Sequence, residues 1–321
     1  MIKAGIIGGA GYTAGELLRL LVNHPEVEIA FVQSNSQAGK PVTSIHLDLS
    51  GWLELDFVSN ASGNPDVLFI CAGHGKARKY LEVNPPADGV KIVDLSRDFR
   101  LAPTAENFVY GLPELNREQI QSAQKIANPG CFATCIQLAL LPLAKMGLLR
   151  SDVHVNALTG STGAGQQATP TTHFSWRDNN VSIYKAFTHQ HLGEIHQSLE
   201  QLQADHGTEI NFLPVRGSFS RGIFASSYTD CELDESEARQ LYADYYATHP
   251  FVSVVAQSPS LKQVVNTNNC HLFVEKHGNK LLVISIIDNL LKGASGQAVQ
   301  NMNLLFGLEE TLGLRLKASA F

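Results

Sequence analysis

The chain has 321 residues, of which 44% are hydrophobic and 17% charged, a balance typical of a soluble globular protein with room for two domains. Its net charge of -6 at pH 7 provides no basic surface for nucleic acid, so we expect no nucleic-acid partner. No apolar run approaches the roughly 20 residues that a membrane helix needs, so we expect no membrane association. Because residues 1–5 lead straight into a fold rather than a signal peptide, the sequence predicts a cytoplasmic protein.

The cysteines predict a reduced protein. The chain has five of them, an odd number, and they are dispersed along it. This arrangement favours neither a disulfide framework nor a paired zinc site, and it fits the cytosol. The five are Cys71, Cys131, Cys135, Cys231 and Cys270.

The opening of the chain has the pattern of a dinucleotide-binding turn. A short apolar strand at 3–7 leads into a glycine-rich stretch at 8–16, and a segment with helical pattern follows at 17–22. Gly8 and Gly11 would let the backbone turn tightly and approach a pyrophosphate, whose charge a helix N-terminus favours. The alternative is a plain tight turn between a strand and a helix. The position between a strand and a helix favours nucleotide binding, because that context is what the motif requires.

The end of the second strand favours NADP over NAD. The strand at 27–32 is followed at 33–40 by hydroxyls, amides and a lysine, whereas an NAD site normally offers a carboxylate there to the ribose 2′-hydroxyl. This chemistry suits a 2′-phosphate, although the segment could equally be an ordinary polar loop. Further apolar strands at 66–73 and 90–96, separated by helix-like polar stretches, predict a parallel sheet covered on both faces.

The stretch 128–141 predicts a nucleophile. Pro129 and Gly130 break the preceding structure and an apolar run follows, so Cys131 should lie in the first turn of a buried helix. Unpaired N–H groups there favour the thiolate, the form that attacks carbonyl carbon. The alternative is that Cys131 is a small buried hydrophobic residue, as free cysteines usually are.

Charged and titratable side chains elsewhere could complete such a site. Arg97 and Arg100 lie in a strand-end loop, and their planar forks suit phosphate or carboxylate recognition, although a solvated loop pair is about as consistent with the sequence. Arg221 is another arginine, between short strand-like segments. His189 and His191 stand just before a predicted helix with Glu194 in its first turn, and no third ligand at a sensible spacing indicates a metal. One histidine is expected to act as acid and base. We favour His191, but the spacing alone does not decide between the two.

The later part of the chain predicts a mixed or antiparallel sheet. Strand-like segments occur at 153–158, 211–215, 224–228 and 281–287, and the glycine and hydroxyl cluster at 159–167 could approach nicotinamide or a phosphoryl group. A flexible loop is the alternative for that cluster. We expect helices at 237–246 and 298–306, and an irregular connection at 109–115.

Together these stretches resemble the N-acetyl-γ-glutamyl-phosphate reductase family, the arginine-biosynthesis member of the semialdehyde dehydrogenase group. The resemblance covers nearly the whole chain, and the order and spacing of its short motifs are specific. Cys131 is followed by Phe-Ala-Thr where Tyr-Pro-Thr is usual, and 160–165 replaces a Gly-Val-Ser-Gly-Ala-Gly pattern. The motifs are Gly-x-x-Gly-Tyr-Thr at 8–13, Asp-Leu-Ser at 94–96 with Asp-Phe-Arg-Leu at 98–101, Tyr-Gly-Leu-Pro-Glu at 110–114, Pro-Gly-Cys at 129–131, Phe-Thr-His-Gln-His at 187–191 with Glu-Ile at 194–195, Ser-Arg-Gly at 220–222, and Asp-Asn-Leu-Leu-Lys-Gly at 288–293.

The resemblance implies an α/β protein with an N-terminal Rossmann-type parallel sheet at 1–130. It also implies an α+β catalytic and dimerisation domain at 131–294 with a mixed or antiparallel sheet, and a C-terminal segment at 295–321 whose helix returns to the nucleotide domain. The implied activity is NADPH-dependent reduction of an acyl phosphate to an aldehyde by a homo-oligomer, a tetramer or dimer. Cys131 would be the nucleophile and His191 the acid and base.

The remaining site residues are expectations of the same kind. Substrate binding is assigned to Arg100, Tyr184, His189, Glu194 and Arg221, and no residue is assigned to a metal. Cofactor binding is assigned to Gly8, Ala10, Gly11, Tyr12, Thr13, Ser34, Ser36, Ser161, Gly163 and Asn289.

Three other functions remain open at this point. A related reductase acting on β-aspartyl phosphate shares the chemistry, and the acyl group on the glutamate nitrogen, acetyl or succinyl or a carrier protein, cannot be read from the sequence. A cysteine acyl hydrolase or transferase would need Cys and His but no nucleotide. A nucleotide-binding regulatory protein would need no reactive cysteine.

Overall fold

The computed structural model describes residues 1–61, 63–73, 75–204 and 206–319. The chain divides into two compact units, one formed by Met1–Pro129 with Ala294–Arg315 and the other by Gly130–Gly293 with residues 316–319. The last segment differs from the expectation for 295–321. The backbone N–H of Ser319 donates to the carbonyl of Val265, 3.3 Å away, so this end of the chain lies on the second unit.

The first unit is built on a seven-stranded sheet whose neighbouring strands are all parallel, in the order β3-β2-β1-β4-β5-β7-β6. Strands β1, β4, β5 and β7 lie next to one another in the interior of the sheet and are apolar runs. Because both faces of such a parallel sheet are buried, apolar and polar residues do not alternate along these strands. The elements are β1 (Ile2–Ile7), α1 (Tyr12–Leu21), β2 (Val27–Gln33), β3 (Phe57–Val58), β4 (Val67–Ile70), α2 (Ala77–Val83), β5 (Lys91–Asp94), β6 (Val109–Tyr110), α3 (Pro113–Ser122) and β7 (Lys125–Ala127).

The expected irregular connection at 109–115 is wrong. Val109–Tyr110 pairs with β7, and α3 begins at Pro113. Proline is favoured in the first turn of a helix because its missing N–H would have no helical partner there. Pro113 is therefore a helix-start signal, and the segment that follows it is helical instead of irregular.

The second unit contains a seven-stranded mixed sheet in the order β12-β13-β14-β11-β8-β10-β9. Antiparallel pairs dominate it, and β8 with β10 and β12 with β13 are parallel. The elements are α4 (Cys131–Lys145), β8 (Val153–Thr159), α5 (Phe174–Arg177), β9 (Ser182–Ile183), α6 (Leu192–Leu202), β10 (Ile210–Arg216), β11 (Ile223–Asp230), α7 (Glu235–Tyr246), β12 (Val252–Val254), β13 (Cys270–His277) and β14 (Lys280–Ile287).

A π-helical turn, Leu291–Ser295, follows β14 and leads into α8 (Gly296–Leu305). Helix α8 belongs to the first unit, where it packs against α1 and α3. The expectation that the last helix returns to the nucleotide domain is therefore confirmed.

Helix α4 contains a proline and is supported by a neighbouring helix. Pro142 has no N–H, so the carbonyl of Leu138 cannot receive its usual helical bond. The hydroxyl of Tyr246 in α7 donates to that carbonyl at 2.6 Å, and the hydroxyl of Tyr242 donates to the next carbonyl, that of Ala139. The Tyr246 hydroxyl thus satisfies a buried acceptor that Pro142 leaves without its helical donor, and the Tyr242 hydroxyl adds a second hydrogen bond between the two helices. They fasten α4 to α7.

No helix in the described part of the chain is long and apolar enough to cross a membrane.

Candidate active site

The turn between β1 and α1 has the geometry that a bound pyrophosphate requires. Gly8 has a φ of +78°, and a Cβ there would lie 2.8 Å from the backbone nitrogen of Ala72, so only glycine fits. Gly11 is the N-cap of α1, and a Cβ there would meet no atom within 4 Å. The backbone is thus tightly turned at Gly8 and open at Gly11. Ala10, Tyr12 and Thr13 line the same turn.

The end of β2 offers no carboxylate. Ser34 is buried and its hydroxyl lies 3.5 Å from that of Ser36, and Lys40 follows with its amine 3.2 Å from the Gln37 amide oxygen. The first acidic residue after β2 is Asp48. A negatively charged ligand at this strand end would therefore meet hydroxyls and a lysine instead of a repelling acid.

Cys131 is the first residue of α4, as the sequence predicted. Gly130 is its N-cap, with extended dihedrals of -73° and 150°, and the Cys131 side chain is partly exposed. The π-helical turn lies against it, because a Cβ built on Gly293 would come within 2.8 Å of the Cys131 Cβ. A thiolate here would be stabilised by the helix N-terminus.

The start of α6 meets the start of α4. The Glu194 carboxylate accepts the backbone N–H of Gly130 at 2.9 Å through Oε2, and Oε1 lies 3.9 Å from Nε2 of His191. The His191 ring lies so close to Gly130 that a Cβ there would come within 2.4 Å of Nε2. His191 and Glu194 are both buried. Thus His191, Glu194 and the residue before Cys131 form one cluster.

His189 is a different kind of histidine. Its Nδ1 accepts the backbone N–H of His191 at 3.2 Å, which requires that nitrogen to be unprotonated. Burial, and then the nearby charge of Lys185, lower the pKa of His189 to about 4. The ring packs between Phe132 and Phe212, with centroids 5.4 Å from each. His189 is therefore a neutral packing partner of His191, whose ring is 4.6 Å away.

Tyr184 extends this cluster of rings. Its ring centroid is 5.9 Å from that of His189, and the Arg216 guanidinium lies 4.5 Å over its face. Burial, and then the charge of Cys131, raise the pKa of Tyr184 to about 12, while Arg216 acts in the opposite direction. Tyr184 is therefore protonated at neutral pH and can donate a hydrogen bond.

Arg221 and Asn289 are held at the start of the π-helical turn. Both oxygens of the fully buried Asp288 accept from Arg221, at 3.0 Å from Nε and 3.2 Å from Nη2. Asn289 accepts the N–H of Gly222 at 2.7 Å and donates to the hydroxyl of Thr162 at 3.1 Å. This last contact ties Asn289 to the turn that contains Ser161 and Gly163, so the structure groups these predicted residues in one place.

Arg100 lies in the first unit, where it is buried. Its Nε donates to the carbonyl of Asn128 at 2.8 Å and its Nη2 to the carbonyl of Leu95 at 3.0 Å. Much of its fork is thus used to hold main-chain carbonyls, including one in the segment that leads to Cys131. This contact supports a positioning role, and anion binding by Arg100 stays a prediction.

Comparisons with known proteins agree with this arrangement. The description "Semialdehyde dehydrogenase, NAD binding domain" matches residues 3–123, and "Semialdehyde dehydrogenase, dimerisation domain" matches residues 131–289. The chain is 60% identical over 322 residues to N-acetyl-gamma-glutamyl-phosphate reductase of Parabacteroides distasonis and 59% identical over 321 residues to that of Christiangramia forsetii, with 100% of each chain covered. The chain belongs to the N-acetyl-γ-glutamyl-phosphate reductase family.

Solved structures show the fold of this reductase family more widely. Aspartate semialdehyde dehydrogenase II of Vibrio cholerae, complexed with ASA, superposes with a TM-score of 0.75 at 17% identity, covering 96% of this chain and 98% of that one. Aspartate semialdehyde dehydrogenase with NADP from Candida albicans gives a TM-score of 0.72 at 14% identity, covering 95% and 98%. The predicted α/β fold class, a parallel sheet followed by a mixed sheet, is thereby confirmed.

The sequence reasoning missed two residues near the cluster of His191, Glu194 and Gly130. Asp288 appears in the sequence analysis only as part of a motif. Its carboxylate accepts hydrogen bonds from Nε and Nη2 of Arg221 and from the backbone N–H groups of Asn266 and Leu290. Arg216, at the end of β10, was not singled out at all. An acidic residue directly after an apolar strand could have drawn attention to Asp288, but no local signal marked Arg216.

Proposed function

We propose that this chain catalyses the NADPH-dependent reduction of N-acetyl-L-glutamyl 5-phosphate to N-acetyl-L-glutamate 5-semialdehyde and phosphate. The observation that carries the proposal is the cluster at the start of α4, where Cys131 heads a helix and His191 and Glu194 lie on the residue before it. The relatives that are 58–60% identical carry this enzyme's name. The structures named for the aspartate reaction share only 14–17% identity, so a β-aspartyl substrate is not favoured.

The chemistry begins at the sulfur of Cys131. The thiolate attacks the acyl phosphate carbonyl, the C–S bond forms, the C–O bond to phosphate breaks, and a thioester remains. A nicotinamide cofactor, when bound, would supply the hydride that reduces this thioester, and protonated His191 would give the new oxyanion the proton that completes the thiohemiacetal. His191 takes the hydroxyl proton as the thiohemiacetal collapses and gives a proton to the departing sulfur, so that aldehyde and thiol are released. Glu194 contacts both His191 and the backbone N–H of Gly130, so it holds the imidazole next to the residue that precedes Cys131.

The residues of the first unit fit a nicotinamide dinucleotide. Gly8 has a positive φ and packs against the backbone of Cys71 and Ala72, and the space at Gly11 is open, so the backbone turn leaves room for a pyrophosphate at Gly11. We propose Ala10, Tyr12 and Thr13 as further cofactor contacts. We propose Ser161, Gly163 and Asn289 as cofactor contacts as well. NADP is favoured over NAD because Ser34, Ser36 and Lys40 suit a 2′-phosphate.

The substrate contacts are proposals of the same kind. Tyr184, His189 and Arg221 line or support the cluster around Cys131, and Arg100 holds the main chain before it. We propose a homo-oligomer, either dimer or tetramer, on the basis of the matched dimerisation domain at 131–289. We also propose that it works in the cytoplasm.

The test runs the reaction in reverse. N-acetylglutamate semialdehyde and NADP are mixed with the enzyme without phosphate, and NADPH formation is followed in a stopped-flow spectrometer. We expect a burst of one NADPH per active site, an acyl adduct on Cys131 by mass spectrometry, and turnover once phosphate is added. Turnover without a burst, or by Cys131→Ser near the parent rate, would contradict the thioester.

Two further measurements complete the test. The ratio of kcat/KM for NADPH and NADH examines the cofactor preference, which we expect to be shifted toward NADH in Ser34→Asp. The pH–rate profile of His191→Asn examines the acid and base. A profile unchanged from the parent's would remove His191 from that role.

A further inference from the structure

Arg216 is a cation beside the proposed catalytic cluster, and none of the described residues provides it with an anionic partner. Its Nε is buried and has no hydrogen-bond partner within the described residues, and no described carboxylate pairs with it. Its guanidinium interacts instead with Tyr184, over whose ring it lies at 4.5 Å and to which it hydrogen bonds. A buried guanidinium N–H without an acceptor is costly, so such a group indicates a ligand.

The position of Arg216 in β10 directs it to the face that carries Cys131. Residues two apart in a strand share a face, so Arg216 lies on the same side as Phe212. Phe212 packs against Phe132, the residue after Cys131, at 5.1 Å, and against His189 at 5.4 Å. Arg216 also pairs with Thr159, immediately before the turn at 160–165.

Among the residues that the structure describes, the neighbouring cations also have no carboxylate partner. Arg177 donates to the carbonyls of Asn180 and Arg216 and to the hydroxyl of Ser182, and Lys185 donates to the Gln190 amide. Burial, and then the charge of Arg216, lower the pKa of Arg177, as expected where two guanidinium groups lie near each other. By contrast, Arg221 is neutralised by Asp288. Of these arginines, Arg216 is the one whose guanidinium donates to no main-chain oxygen and no carboxylate in the described part of the chain.

We infer that Arg216 binds a carboxylate of the substrate that lies away from the reacting carbon. This inference rests on the proposed function. An N-acylglutamyl phosphate carries two fixed anions, the phosphate that leaves at the attacked carbon and the α-carboxylate at the other end of the chain. A guanidinium stacked on an aromatic ring keeps its edge for a planar, bidentate acceptor, which a carboxylate is. A carboxylate at the end of the N-acyl group is the second possible source of the same chemistry.

The experiment compares the parent, Arg216→Gln and a matched control, Arg150→Gln, whose exposed arginine pairs with Glu232. Each is assayed in reverse with N-acetylglutamate semialdehyde, with its α-carboxamide and with the N-succinyl analogue. For Arg216→Gln we expect the KM for the N-acetyl aldehyde to rise about 10- to 100-fold, because the substitution removes one charge-assisted hydrogen-bonded pair. The kcat and the KM for phosphate and for NADP should stay within about twofold of the parent values.

The substrate arms identify the carboxylate. If the α-carboxylate is the ligand, the α-carboxamide is a poor substrate for the parent and loses nothing further in Arg216→Gln. If the carboxylate lies on the acyl group, the parent prefers the N-succinyl aldehyde and Arg216→Gln abolishes that preference. Either result supports the inference.

Other outcomes overturn it. They are an unchanged aldehyde KM, a raised KM for phosphate instead, or an equal loss with charged and uncharged substrates. Should Arg216→Gln not fold, calorimetric titration of the parent with N-acetylglutamate, N-succinylglutamate and N-acetylglutamate α-amide decides the question. The inference then requires that the α-amide bind at least about 10-fold more weakly than N-acetylglutamate, or that N-succinylglutamate bind about 10-fold more tightly than N-acetylglutamate. If the parent reduces NADP with neither aldehyde, the proposed function fails rather than the assignment of Arg216.

Discussion

Replacing Gly130 with alanine should disable the enzyme without unfolding it. The dihedrals of Gly130, -73° and 150°, are ones that alanine adopts freely, so the backbone is not strained. The new methyl group would instead meet the His191 ring, with Nε2 at 2.4 Å, Cε1 at 2.6 Å and Cδ2 at 2.7 Å. Because this ring is buried and packed against His189, it cannot rotate into solvent.

The size of the effect follows from the overlap. Nonbonded carbon atoms settle at about 3.5 Å or more, so the ring must move by about 1 Å. A displacement of about 1 Å in a catalytic group can cost about 100-fold in rate. We therefore expect the kcat of Gly130→Ala to fall about 100-fold, while the melting temperature changes by only a few degrees.

A double-mutant cycle separates this mechanism from general damage. Steady-state kcat is measured for the parent, Gly130→Ala, His191→Ala and the double variant, with circular dichroism as the control for folding. Once the imidazole is removed, the methyl group has space, so the double variant should be no slower than His191→Ala alone. Fully additive losses, or a single variant with the parent's kcat, would refute the reasoning.

Three further predictions concern other parts of the site. Burial raises the pKa of the Cys135 thiol well above its usual value, so iodoacetamide at neutral pH should alkylate Cys131 and spare Cys135, as peptide mass mapping would reveal; labelling of both would contradict this. The pKa of His189 is lowered from 6.5 to about 4, so between these pH values the unfolded chain binds a proton that the native chain does not. The free energy of unfolding should therefore decrease as the pH is lowered from 6.5 to about 4, and it should decrease less in His189→Gln. Asp288→Asn leaves Arg221 without its charge partner and should lower the free energy of unfolding in urea by about 3 kcal/mol; a loss under about 1 kcal/mol would show that the pair is not needed.

Local signals were enough to predict the first unit and the position of Cys131. The turn at Gly8 and the helix start at Cys131 depend on residues a few positions apart, and glycine and proline act directly on those dihedrals. The buried strands were visible as apolar runs. The helix at Pro113 was missed because its first turn lacks the apolar periodicity used to recognise helices.

Contacts between distant residues could not be predicted in this way. Glu194 bonds to the N–H of Gly130, 64 positions earlier, and Asp288 pairs with Arg221, 67 positions earlier. The sequence spacing therefore left His189 and His191 undecided, whereas the fold places His191 on Gly130. Arg216 is functional only through what surrounds it, so no pattern along the chain could indicate it.

The hydrogen bond that the Tyr246 hydroxyl donates to the carbonyl of Leu138 has an evolutionary consequence. That acceptor lacks a helical donor only because Pro142 stands four positions later, so the two side chains form a compensating pair 104 positions apart. Among relatives, we expect substitutions at these two sites to covary: a phenylalanine at 246 should be tolerated where 142 is no longer proline, and selected against where it is.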